Sequence, residues 1–510
     1  MTDVRRSGNP RTMSERPSQR RGAGDPTPTQ VGSWRELFAR EYRAAIAVFA
    51  GGIAVFAINT YLTAASLPSA VADIGGERLY AWVMTVFLIT SVFSSMLVTR
   101  TLTRWGARRA YLIAFGLFGV GSLVCALTPT MPIMLGGRAI QGIGGGLLTG
   151  LSFAVIRLAL PERLWVRAVG LTSAMWGVGN LIGPVLGGLF AQIGFWRGSF
   201  WLLVVATAII TALALRALPA RRRDDTASTP LPISSLALVV LATVAVSVAS
   251  VVDGRSAVIV LVGVAVTATL GFVVVDRRRR AGLLPRLTYT THNPLKWIYV
   301  SIAVLSVGST SEAFIPLFGQ EIAGMGPLLA GMLGAALSWG WSSAQIASTT
   351  WADGRRARVV RVAGPAFLAV GLATYGVLQS ASGTAAIVGW FVALFVAGTG
   401  IGMAFPHIAT AAMTITPDDA EAARASAGVN TVQMVANTFG SATAGLLVSV
   451  GATVGATGDQ TVTSARFLTF GFAALALAGI AAAVASIRPP RPTDVPGPTA
   501  SSGAGHVGPR

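Results

Sequence analysis

The stretch Trp176-Gly177-Val178-Gly179-Asn180-Leu181-Ile182-Gly183-Pro184-Val185-Leu186-Gly187-Gly188 sets glycines four residues apart in an apolar background and places one proline among them. Gly179, Gly183 and Gly187 share one helical face and leave it bare, so a neighbouring helix can approach backbone to backbone. Pro184 removes an intrahelical hydrogen bond and bends the segment. Such a face suits a helix that rocks against a neighbour or seals on it. The segment around it, 166 to 190, is apolar over enough residues to cross a bilayer.

The rest of the chain has the same character. Of 510 residues, 53% are hydrophobic and 12% charged, and the mean hydropathy is +0.65. These values mark an integral membrane protein and exclude a receptor with a single anchor. Fourteen apolar runs are long enough to span: 45 to 67, 80 to 99, 110 to 128, 134 to 156, 166 to 190, 199 to 218, 233 to 252, 257 to 275, 296 to 318, 328 to 350, 360 to 379, 384 to 412, 427 to 451 and 467 to 487. Lys and Arg in short loops stay on the cytoplasmic side. The loops after even-numbered runs, with their flanks, hold 22 of the 39 basic residues, whereas the loops on the other side hold four, Arg78, Arg197, Arg255 and Arg466. This alternation predicts an even number of spans and a multi-pass protein of the cell membrane with both termini cytoplasmic.

Charge and composition also divide the chain. Residues 1–42 and 488–510 are rich in Arg, Pro, Ser, Thr and Gly and read as a disordered cytoplasmic arm and tail. Between them, 43–218 holds six spans and 296–487 another six, each predicted to form a bundle. The linker 219–295 carries two plain aliphatic spans that read as an insertion. A weak repeat relates the halves: Arg104, Gly106, Arg108 and Arg109 after span two are echoed by Asp353, Gly354, Arg355 and Arg356 after span ten.

Several function classes fall away. The net charge of +19 sits in short clusters between spans, without the aromatic platform of a nucleic-acid binder, so no nucleic-acid partner is expected. Cys125 lies alone in an apolar run and suits core packing; no disulfide, thiolate metal cluster or other metal site is expected. The chain has no phosphate-cradling GxxxxGK[ST] sequence and no nucleophile with a positioned base, so neither ATP hydrolysis nor an enzyme activity is expected, and no cofactor.

Span four opens Arg138-Ala-Ile-Gln141-Gly142-Ile-Gly144-Gly145-Gly146. A charged residue inside an apolar segment is costly and usually faces a cavity or a partner. A plainer reading has Arg138 snorkelling to the interface while the glycines only pack. With these residues, the basic stretch Thr-Arg104-Trp-Gly106-Ala-Arg108-Arg109 and the Gly179-x-x-x-Gly183-Pro184-x-x-Gly187-Gly188 motif, the sequence resembles the major facilitator superfamily, and within it the fourteen-helix drug:proton antiporter branch. Pro316, the stretch 323 to 331, and Gly398-x-Gly400-x-Gly402 with Pro406 agree, and the resemblance covers roughly residues 45 to 487.

The resemblance implies conformational roles for Arg104, Gly106, Arg108, Arg109, Gly179, Gly183, Pro184, Gly187 and Asp353. It also implies a central cavity lined by Asn59, Gln141, Trp176, Asn180, Trp339, Gln345, Asn430 and Gln433, with a lining that suits lipophilic cations or lipids. Each tryptophan taken alone also reads as packing or as part of an interfacial belt. His407 beside Pro406 reads as a core histidine, with titration near neutral pH as the other reading.

Two positions depart from the family. Thr103 stands where its basic loop normally carries an Asp, and Asn59 stands where span one usually carries an acid. Of the 20 acidic residues only Glu312 lies well inside an apolar span. Glu312 and Arg138 are expected to face each other across the cavity and to couple protons, with the carboxylate released by an incoming cation or proton. Alternatively, Glu312 is a structural carboxylate held by Ser309 or Ser311, or reaches the headgroup region.

The chain is therefore expected to be an all-α secondary transporter, monomeric in the bilayer, exporting lipophilic or amphipathic small molecules in exchange for protons by alternating access. Two other readings keep the fold: an exporter of lipids or envelope precursors, and a sensor or scaffold that has lost turnover.

Overall fold

The computed structural model describes residues 33–487 except 218–232, 280–281, 291–292, 349–353, 380–382, 417–418 and 456–459. Among the described residues the chain is entirely helical, with sixteen α-helices and three short 3-10 turns. The first half comprises α1 (Trp34–Leu37), α2 (Arg43–Ile74), α3 (Tyr80–Ser95), α4 (Val98–Leu127), α5 (Met131–Ala159), α6 (Glu162–Gln192) and α7 (Arg197–Ala217). A central pair follows, α8 (Ile233–Ala249) and α9 (Arg255–Arg278). The second half comprises α10 (Leu295–Ser309), α11 (Ile315–Ala323), α12 (Pro327–Ser348), α13 (Gly354–Leu378), α14 (Thr384–Met413), α15 (Asp419–Val454) and α16 (Gln460–Ser486).

Over the described residues the expected apolar runs fall on helices, with 296–318 divided between two, because in hydrocarbon the backbone must satisfy its own hydrogen bonds. Among the described residues ten helices are individually long and apolar enough to cross a membrane. The pair α10 and α11 is long and apolar enough only when taken together, and meets at a bend of 43°, with a 3-10 turn at Thr310–Ala313 that carries Glu312. Two expectations shift. The basic stretch after span two is not a loop but the first turns of α4, kinked at Gly106, whose φ of 74° favours glycine. The arm expected to be disordered through residue 42 is ordered from Ser33: Ser33 caps α1, Leu37 is fully buried against Ile156 and Leu164, and Glu36 pairs with Arg163 at 2.6 Å.

Glycines set how the halves pack. In the first, Gly142 and Gly146 of α5 lie against the Phe87 and Ser91 carbonyls of α3; in the second, Gly398 and Gly402 of α14 lie against the Leu337 and Trp341 carbonyls of α12. The same four-residue device thus appears twice, at matching places in the helix order. The halves touch through α6 on α12, with α2 beside it against α11 and α12, and through α3 on α15, and α8 lies over the last of these.

A side chain at Gly146 would run into the Ser91 carbonyl, whereas nothing stands within 4 Å of a Cβ at Gly116. Gly146→Leu is expected to lower stability by about 1–3 kcal/mol through overpacking. Gly116→Leu should leave the unfolding temperature of detergent-solubilised protein unchanged, measured by intrinsic fluorescence.

Candidate functional site

Arg138 is fully buried in the first half, between α2, α3, α4 and α5. Its Nε donates to the Val83 carbonyl at 3.1 Å, and Nη1 donates to Asn59 Oδ1 at 2.9 Å, to Thr63 Oγ1 at 3.5 Å and to Gln141 Oε1. Nη2 lies 3.7 Å from the Met84 sulfur, and the guanidinium sits 4.2 Å from the Phe87 ring centroid. Gln141 passes the network on by donating to Ser122 Oγ at 2.7 Å. The partners are therefore amides, hydroxyls, a carbonyl, a thioether and a ring, with no carboxylate. Removing a guanidinium from water costs several kcal/mol, and here only dipoles and a ring quadrupole offset it.

This arrangement corrects two expectations. Asn59 and Gln141, expected on the cavity wall, are both fully buried and spent on Arg138. Arg138 and Glu312, expected to face each other, are not joined by an ion pair: the guanidinium turns into its own half, where neutral acceptors surround it.

Glu312 instead sits at the α10/α11 break, partly buried, with the Ser338 hydroxyl of α12 lying 2.9 and 3.0 Å from its two carboxylate oxygens. Ser309 and Ser311 spend their hydroxyls on the carbonyls of Ser306 and Gly308, so neither holds Glu312. The Tyr61 phenol of α2 approaches the same Ser338–Glu312 pair. The carboxylate thus lies where a helix of the first half meets two elements of the second.

From this point α6 and α12 run together. Asn180 Nδ2 donates to Ser342 Oγ at 3.0 Å, while its Oδ1 is buried without a partner. Toward the end of α6, Gly331 of α12 faces the Pro184 carbonyl, and Gly188 faces Leu328. Gly179, Gly183 and Gly187 lie against α2, at Ala57, Tyr61 and Leu62. The motif therefore has two jobs: three glycines fuse α6 to α2, and Pro184 with Gly188 receives α12.

The remaining polar positions do not converge. Trp176 is 38% exposed and meets Phe56 edge-on at 5.7 Å. Trp339 and Gln345 are partly buried on α12, and the Trp339 indole nitrogen has no partner. On α15, Gln433 is partly exposed and Asn430 is exposed. No hydrogen bond joins these five to one another among the described residues.

The chain has the helix order, the paired glycine contacts and the broken span of a transporter bundle, and comparison with known proteins identifies which one. The Major Facilitator Superfamily model matches residues 48–441. A "Probable multidrug-efflux transporter" of Mycobacterium tuberculosis is 42% identical over 463 residues, which cover 89% of this chain and 97% of the relative. The chain belongs to the major facilitator superfamily.

An efflux pump of Gibberella fujikuroi is 33% identical over a shorter stretch of 160 residues, 31% of this chain and 29% of that protein. Among solved structures, a POT family transporter in complex with 5-aminolevulinic acid superposes with a TM-score of 0.62 at 14% identity, covering 88% of this chain and 97% of that one. A nucleoside transporter gives 0.61 at 11% identity, covering 87% and 100%. At these identities the likeness is one of fold. As a member of the superfamily the protein is an integral membrane transporter and not an enzyme.

The superfamily's basic motif is present but differently served. Arg104 and Arg109 are exposed and Arg108 partly so; none has an ion pair among the described residues, and Thr103 donates only to the Arg100 carbonyl, at 3.1 Å. Asp353 lies outside the described residues. The sequence reading also missed Asp276, 2% exposed at the end of α9. Its carboxylate accepts from the Leu283 amide at 2.6 Å, the Leu284 amide at 3.1 Å and the Tyr289 hydroxyl at 2.8 Å, clamping the linker into α10. An Asp followed by four arginines reads as a charged loop, and the bend at Leu283 and Leu284 brings those amides back to it.

Asn59 Nδ2 is buried without a partner beside an uncompensated guanidinium. Asn59→Asp is expected to stabilise the protein, on the order of 1–3 kcal/mol, by supplying the missing counter-charge. A rise in the unfolding temperature of the purified variant checks it.

Proposed function

We propose that this superfamily member is a fourteen-span exporter of lipophilic or amphipathic small molecules, driven by proton antiport. It works as a monomer of two six-helix bundles plus the α8–α9 pair, in the cell membrane with both termini cytoplasmic. The position of Glu312 carries the reading: one carboxylate, inside an apolar span, where α2 of the first half meets α10 to α12 of the second. The full-length relative named for multidrug efflux supports the substrate class.

A carboxylate with only a hydroxyl partner in a low-dielectric site is costly when charged. A proton or a bound cation each removes that cost, and the two compete for one group. Exchange follows if each is bound from opposite sides. Access alternates as the bundles rock, with the Pro184–Gly331 and Gly188–Leu328 contacts sealing one end and parting when the other closes. Arg138 takes no proton in this scheme; its fixed charge orders the polar core of the first half.

In proteoliposomes, addition of tetraphenylphosphonium should drive proton movement in the wild type and none in Glu312→Gln. A folded Glu312→Gln protein whose transport keeps the wild-type pH dependence would overturn the assignment.

A further inference from the structure

The two seams between the halves are not equivalent. Among the elements packed closely on α3 and on α15, the two share α8, which lies across them. Trp82 of α3 donates its indole N–H to the Ser247 carbonyl of α8 at 3.0 Å, and Arg78 pairs with Asp253 just beyond α8 at 2.8 Å. On the other side Ala245 and Val246 of α8 are buried with Ala442 of α15. Farther along, a crevice lined by Ile89, Val92, Val240 and Val435 shows α8 still spanning the seam. Lipid therefore has no path between α3 and α15 along this length.

Among the described residues the α6–α12 seam has no such cover. There the element packed closely on both is α2, a core helix of the first half. The seam is shut by backbone contact from Gly188 to Pro184 and pinned by the Asn180–Ser342 hydrogen bond. Beyond that bond, toward the end where α6 begins and α12 finishes, residues one turn further along each helix are exposed: Trp176 by 38% and Ile346 by 75%, and a Cβ at Gly177 would meet nothing within 4 Å. This is also the end flanked by Arg163, Arg167, Arg355 and Arg356, the cytoplasmic side by the charge rule.

We infer that membrane-dissolved amphiphilic cations are admitted sideways from the inner leaflet through the α6–α12 seam, across Trp176, Gly177 and Ile346, and that the α8–α9 hairpin closes the other seam to them. The inference rests on the export reading above and specifies its route. A threshold of an aromatic ring and an aliphatic side chain favours a cation dragged in by its apolar body, whose charge meets the ring face before it meets Glu312.

The test measures initial rates of tetraphenylphosphonium transport in proteoliposomes, with equilibrium binding of the same cation in detergent alongside. Ile346→Arg and Gly177→Trp should each slow transport about tenfold by placing charge or bulk in the path, while binding in detergent stays at the wild-type value. Val260→Arg, on the bilayer-facing side of α9 where Val260 is 63% exposed, should transport at the wild-type rate. Wild-type rates in both seam variants, or equal slowing in Val260→Arg, would overturn the route while leaving export intact. A wild-type protein that moves no cation would overturn the export reading itself.

Discussion

Backbone contact through glycine is the constraint on which the rest of this protein depends. Between helices in a bilayer there is no hydrophobic driving force, so association relies on close packing and on the hydrogen bonds that close packing permits. Gly142 and Gly146 bring α5 onto α3 so closely that the Ser91 hydroxyl donates to the Gly142 carbonyl at 3.0 Å. Gly179, Gly183 and Gly187 do the same for α6 on α2, and Gly398 and Gly402 for α14 on α12. The approach welds helices within a half. Between the halves, Gly188 and Gly331 give a flat contact made by backbone, pinned farther along by the Asn180–Ser342 hydrogen bond.

Against this scaffold the two charged residues of the interior have opposite settings. Arg138 is enclosed by four helices of one half and hydrogen-bonded to dipoles carried by those same helices. Glu312 stands where the helical ladder is interrupted, held by one hydroxyl from a neighbouring helix and approached by a phenol from the other half. Glu312 therefore has neighbours from both halves, whereas those of Arg138 all belong to one.

Much of the fold was legible because membrane helices announce themselves by length and apolarity, and because glycine at intervals of four has few other uses in such segments. The family followed from the same residues. The site was less legible. Depth along a span can be read from sequence, but the side of the helix that faces a neighbour depends on packing, so Arg138 and Glu312 at similar depth were expected to meet and do not. Asn59 and Gln141 look like cavity amides until one sees that Gln141 lies one turn from Arg138 and Asn59 across from it. Asp276 and the ordered turn at Ser33 escaped notice for a related reason: each is a polar residue in a charged stretch, made structural only by chain that folds back over it.

The clamp at Asp276 decides to which body the extra hairpin belongs. On one side α8 and α9 are fixed to the second half by a short linker whose amides and tyrosine are tied to a buried carboxylate, and by an apolar patch against α15. On the other, among the described residues, the polar contacts with the first half are one indole hydrogen bond and an ion pair whose side chains are 71% and 83% exposed, the ion pair worth under about 1 kcal/mol. The described contacts thus moor the hairpin to the second half and leave it resting on the first. Two helices inserted mid-chain are thereby accommodated as an extension of one existing unit, with no separate core of their own.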